Sequence, residues 1–149
     1  MGSYKKILVG TDGSDTSLLA VDKAGLLAAD SGAELLIVTA YEPASKEDIR
    51  AASDALKEDA YQVVGSAPAE SVLRNAADRA RSAGATKVDT KAVQGPPVDV
   101  LDQAVADSGA ELLVVGNVGL NTLTGRILGS VPQSVARRSG VDVLIVHTS

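Results

Sequence analysis

Short apolar runs alternate along the chain with stretches in which apolar residues recur every three or four positions. The first run, Lys5 to Gly10, is continuously apolar at Ile7, Leu8 and Val9, which predicts a strand buried on both faces. Behind it Leu18, Val21, Ala24 and Ala28 share one face of a helix. Ala33 to Ala40 reads as a second strand. Residues 87–93, KVDTKAV, alternate polar and apolar as a half-exposed edge strand does. Pro96 and Pro97 open a helix that carries Val98, Leu101 and Val105 and ends before Gly109. Glu111 to Val115 and Val141 to His147 are the fourth and fifth strands. Between them Ser130 is placed to N-cap a short helix to Arg138, and Gly140 to C-cap it.

The chain also echoes itself. DSGAELLIV (30–38) and DSGAELLVV (107–115) differ at a single position, and each reads as a helix end, a glycine cap at Gly32 or Gly109, and a buried strand. SAGATKVDTKAV (82–93) and RSGVDVLIV (138–146) are looser forms of the same unit. Residues 43–67, punctuated by Pro43 and Gly65, read as a helix or a connection leading to a helix at about 68–83, not as a second domain. The 149 residues are therefore expected to form one domain. Alternating strands and helices define a layered α/β fold. The edge character of the third strand selects the order 3-2-1-4-5, a doubly wound five-stranded parallel sheet.

Composition narrows the function. Aromatic residues are 2% of the chain, with neither Trp nor Phe, so the core is aliphatic and base-stacking platforms for single-stranded nucleic acid are missing. A formal net charge of −5 argues against a broad polyanion-binding surface. The chain has no cysteine, which removes disulfides, thiolate nucleophiles and cysteine metal sites. Its start, MGSYKKILVG, enters a strand directly, without a secretory apolar region, and Lys6 breaks the myristoylation pattern. No apolar run approaches the ~20 residues of a membrane span. A cytoplasmic protein without membrane or nucleic-acid partners is expected.

In a doubly wound sheet ligands sit beyond the carboxyl ends of the strands where the strand order reverses, here between strands one and four. Two glycine-bearing turns follow those two strands: GTDGS (10–14) and GNVGLNTLTGRILGS (116–130). Backbone amides at a helix start hold phosphate without a cationic side chain, and Ser130 adds a hydroxyl. Asp12 is suited to accept from ribose hydroxyls or to hold a metal ion. Singly these residues read as loop glycines and helix caps; converging on one switch point, they favour a nucleotide pocket.

Gly116-x-x-Gly119, nine intervening residues, then Gly129-Ser130 resembles the nucleotide-binding motif G-x2-G-x9-G-[ST] of the universal stress protein family. ILVGTDGSDTS (7–17) is similar to that family's opening strand and Asp-bearing turn, and VDVLIVHTS to its closing strand. The resemblance covers the whole chain and implies a flavodoxin-like domain, usually dimeric, that binds adenine nucleotides. By position it implies that Gly10, Thr11, Asp12 and Ala40 line the adenosine side. Val115, Gly116 and Gly119 would face ribose and phosphate, with Gly129, Ser130 and Val131 closing over the phosphates.

The chain departs from the family pattern at Asn117 and Val118, where many members carry a polar and then a basic residue, and at Pro132, which lacks an amide donor. Arg126 is the only cation in the stretch. A triphosphate carries several charges to neutralise and a cyclic phosphodiester one, so a donor-poor pocket suits cyclic AMP or AMP better than ATP. The chain also resembles actinobacterial members that bind cyclic AMP. Catalysis is not expected, and no metal site is assigned. His147, the single histidine, reads as a packing or surface residue, and no nucleophile–base set or carboxylate pair can be assembled. Slow ATP hydrolysis or autophosphorylation would need magnesium, for which Asp12 is the one candidate ligand. A third reading is a dimeric stress-interaction scaffold, because strand 141–147 would be an exposed apolar edge open to pairing across a twofold axis.

Overall fold

The structure, a computed structural model, describes residues 4–41, 66–116 and 140–147. In chain order the elements are β1 (Lys6–Gly10), α1 (Asp15–Ser31), β2 (Glu34–Tyr41), α2 (Ser66–Ser82), β3 (Val88–Gln94), α3 (Pro97–Ser108), β4 (Leu112–Gly116) and β5 (Asp142–Val146). The five strands form one sheet in the order β3-β2-β1-β4-β5, every neighbouring pair parallel. This is the doubly wound order expected from the polarity of residues 87–93 and the flavodoxin-like arrangement that the family resemblance implies. β3 is indeed an edge, with Asp89, Thr90 and Lys91 exposed.

The strands begin one residue later than the apolar pattern suggests. After α1 the cause is visible: Ala33 N donates back to Ala28 O at 2.9 Å, so Ala33 closes the helix instead of opening β2. Gly32 and Gly109 both cap their helices in the left-handed region, at φ 67 and φ 74. The internal echo has a spatial meaning, since its two strands flank β1 at the same level. Leu35 and Leu112 both pair with Ile7, Leu36 and Leu113 with Leu8, and Ile37 and Val114 with Val9. Gly140 has the left-handed conformation, φ 69, that a C-cap requires. The helix expected at 130–138, and residues 43–65, lie outside the described residues.

β1 divides the core into two layers. On one face Ile7 and Val9 pack with Leu35, Ile37, Leu112 and Val114 beneath α1 and α2. On the other, Leu8 packs with Leu36, Val38, Leu113 and Val115 beneath α3. Ile7, Leu8 and Val9 are wholly inaccessible to solvent. Gly10 continues this register, and a Cβ there would lie 2.9 Å from Leu101 Cδ2 of α3. Among the described residues no helix is long and apolar enough to cross a membrane.

α1 and α2 approach each other through small residues. A Cβ on Gly25 would stand 2.9 Å from the Ala80 carbonyl oxygen and 3.0 Å from Ala83 Cβ. At the rim of this contact Arg79 donates from Nε and Nη2 to the two carboxylate oxygens of Asp22. Both side chains are about one-third exposed, so this forked pair adds at most about 1 kcal/mol and serves mainly to fix the helix crossing. Replacing an exposed helical glycine by alanine stabilises by about 1 kcal/mol. At Gly25 the sign reverses, because the added methyl meets backbone that cannot rotate away. Gly25→Ala is expected to destabilise by about 1–3 kcal/mol, read as a lower urea midpoint. An unchanged or higher midpoint would show that the helices separate freely.

Candidate functional site

Where β1 leaves the sheet, its last paired amide is Thr11 N, which donates to Val38 O of β2 at 3.0 Å. The chain then turns sharply through Asp12 and Gly13 into α1. Gly13 has φ 85, and a Cβ there would come within 2.8 Å of Val72 of α2, so the turn demands glycine twice over. Ser14 N-caps α1, its Oγ accepting from Ser17 N at 3.2 Å. Thr11 Oγ1 accepts from Gly13 N at 3.0 Å and lies 2.7 Å from Ser17 Oγ, which in turn donates to Ser14 O at 3.0 Å.

Asp12 is the chemically exposed member of this otherwise self-satisfied turn. Its Oδ1 accepts from Ser14 N at 2.9 Å, whereas Oδ2 is buried with no hydrogen-bond partner among the described residues. The residue is only 8% accessible. Burial pushes its carboxyl above the ordinary value of 3.8, with hydrogen bonding from Ser14 and, to a lesser extent, from the Ser17 hydroxyl opposing the shift. A buried acceptor without a donor costs about 1–3 kcal/mol, and among the described residues Oδ2 is such an acceptor. Thr39 Oγ1 is likewise buried and unpartnered among the described residues.

The other expected contacts gather at the same edge. Ala40 is half-buried near the end of β2, packed against the α3-side core layer to which Val115 of β4 belongs. Gly116, the last residue of β4, is buried and paired with Val146. Gly10, Thr11, Asp12, Ala40, Val115 and Gly116 thus line the carboxyl ends of three adjacent strands. Gly119, Gly129, Ser130 and Val131 lie outside the described residues. His147 is exposed beyond β5. Neither Ser14 nor Ser17 is among the residues expected from the sequence, although a serine directly after Asp-Gly carries an N-cap signal.

A doubly wound parallel sheet with a carboxylate-bearing turn at its switch point defines a class of ligand-binding α/β domains. The chain belongs to the universal stress protein family, whose model spans residues 3–147. A universal stress protein of Mycobacterium tuberculosis H37Rv is 52% identical over 149 residues, covering 100% of both chains. The crystal structure of a universal stress protein in complex with cyclic AMP shares 51% identity, covers 98% of each chain and superposes with a TM-score of 0.75. Universal stress protein UspA from Lactobacillus plantarum retains the fold at 22% identity, with a TM-score of 0.72 over 98% of this chain and 99% of its own.

The raised Asp12 carboxyl makes stability depend on pH. The folded chain holds this proton more tightly than the unfolded chain does. Its contribution is therefore complete below pH 3.8 and is lost as pH rises through the folded value. Asp12→Asn keeps the Oδ1 acceptor but cannot ionise. In urea titrations of nucleotide-free protein from below pH 3.8 to neutrality, this variant should gain stability over the parent across that window and hold the gain above it. Parallel pH profiles would show that Asp12 is solvated in the folded state.

Proposed function

We propose that this protein reversibly binds an adenine nucleotide at the β1/β4 switch point, cyclic AMP in preference to ATP, as a cytoplasmic sensor or buffer and not as a catalyst. The observation that carries the reading is Oδ2 of Asp12, buried and without a partner among the described residues, an acceptor matched to a ribose hydroxyl or an adenine amino group. The cyclic AMP complex of a relative 51% identical supports the choice of ligand class. The ligand's phosphate would rest on the glycine-rich stretch after β4, where backbone amides and Ser130 are the donors. With Arg126 as the sole cation there, a singly charged cyclic phosphodiester is favoured over a triphosphate.

Calorimetric titration of nucleotide-free protein with cyclic AMP, AMP, and ATP with and without magnesium tests this directly. Cyclic AMP should bind more tightly than ATP, and Asp12→Ala should weaken it by about 10–100-fold, the loss expected when a hydrogen bond to a charged group is removed. Gly129→Glu should abolish binding while the circular dichroism spectrum stays unchanged. Preferential, magnesium-dependent ATP binding would overturn the cyclic AMP assignment and direct attention to hydrolysis.

The assembly proposed is an isologous homodimer through β5. Ile145, at 42% accessibility on this terminal strand, leaves an apolar edge that pairing across a twofold axis would cover. Light scattering behind gel filtration should give twice the chain mass, and Ile145→Lys should return it to one chain. A parent protein that runs as a single chain would remove the dimer.

A further inference from the structure

We propose that Ser17, in the first turn of α1 and outside the expected nucleotide contacts, is a positioning residue that aims the Asp12 carboxyl through Thr11; the inference rests on the nucleotide reading above. Proton accounting along the turn fixes the direction of each hydrogen bond. The Ser17 hydroxyl has one proton, and it goes to Ser14 O at 3.0 Å. At the 2.7 Å contact with Thr11, Ser17 Oγ must therefore accept and the Thr11 hydroxyl donate. With its proton committed, Thr11 Oγ1 presents a lone pair to Gly13 N at 3.0 Å.

The residues on both sides of Asp12 are tied down by this chain. Thr11 N is held on Val38 O, Gly13 N on Thr11 Oγ1, and Ser14 N on Asp12 Oδ1. Fixing Oδ1 also fixes where Oδ2 points. Thr11 and Ser17 are 1% and 3% accessible, so neither hydroxyl can exchange its partner for bulk water. Without Ser17 Oγ, the buried Thr11 hydroxyl loses the partner that holds it, and with it the bond that fixes Thr11 Oγ1 where it accepts from Gly13 N.

The helix itself does not need the Ser17 hydroxyl. Ser14 O also accepts from Leu18 N at 2.9 Å, and the N-cap bond uses the backbone amide of residue 17. Ser17→Ala preserves both and places a better helix former in the first turn. The substitution therefore separates orientation of Asp12 from stability of α1.

The test is a double-substitution cycle read by titration with cyclic AMP, NMR-detected where affinity is weak. Ser17→Ala should weaken cyclic AMP binding by about tenfold in the parent protein and by less than about twofold in an Asp12→Ala background, where no carboxyl remains to be aimed. The amide resonances of Gly13 and Ser14 should shift in ligand-free Ser17→Ala. Unchanged affinity, equal losses in both backgrounds, or failure of Ser17→Ala to fold would each overturn the positioning role. If the parent protein binds none of cyclic AMP, AMP and ATP, the nucleotide reading itself falls, and this inference falls with it.

Discussion

β1 is hydrogen-bonded along both edges and covered on both faces, and the rest of the molecule is arranged around that confinement. Ile7, Leu8 and Val9 have no contact with water, so the strand's polarity is satisfied wholly by β2 and β4. Beyond the buried run the next polar side chains come in the turn after Gly10. There Thr11, Asp12, Ser14 and Ser17 are still buried, and they satisfy one another at close range. One carboxylate oxygen is left over. Among the described residues that oxygen has no donor, and the proposed ligand would supply one.

The two faces of β1 receive their helices differently. Towards α1 and α2 the packing relies on alanine and glycine, with Gly25 against the Ala80 carbonyl and Gly13 beneath Val72. Towards α3, Leu101 fills the space that a side chain on Gly10 would take. With neither Phe nor Trp, the core is filled by aliphatic side chains and, between α1 and α2, by a close approach of backbones. That leaves the turn rigid against its surroundings, because even a methyl group has no room in it.

The architecture was legible in the sequence for simple reasons. Runs buried on both faces, a polar strand at 87–93 and the echo at 30–38 and 107–115 leave little choice of order, and the glycine caps mark where helices stop. Six of the expected site residues come together at one sheet edge for the same reason, since each follows or ends a strand. The hydroxyl chain was not legible. Ser14 and Ser17 look like ordinary capping residues until their distances to Thr11 are known, and which atom donates depends on all of those bonds together. Nor could Asp22 and Arg79 be paired in advance, lying as they do on different helices far apart in the chain. Gly25 looks like a flaw in a helix until the Ala80 carbonyl opposite it is seen.

The place of β1 between β2 and β4 also orders events during synthesis. β1, α1 and β2 are contiguous, so the Asp12 turn can be assembled while the remainder of the chain is still being made. β4, whose pairing with β1 spans a sequence separation several times larger, must close a far longer loop and joins later. The β1/β4 seam is the pairing of largest sequence separation in the sheet, so anything bound across it would act on the contact whose loop is entropically most costly to close.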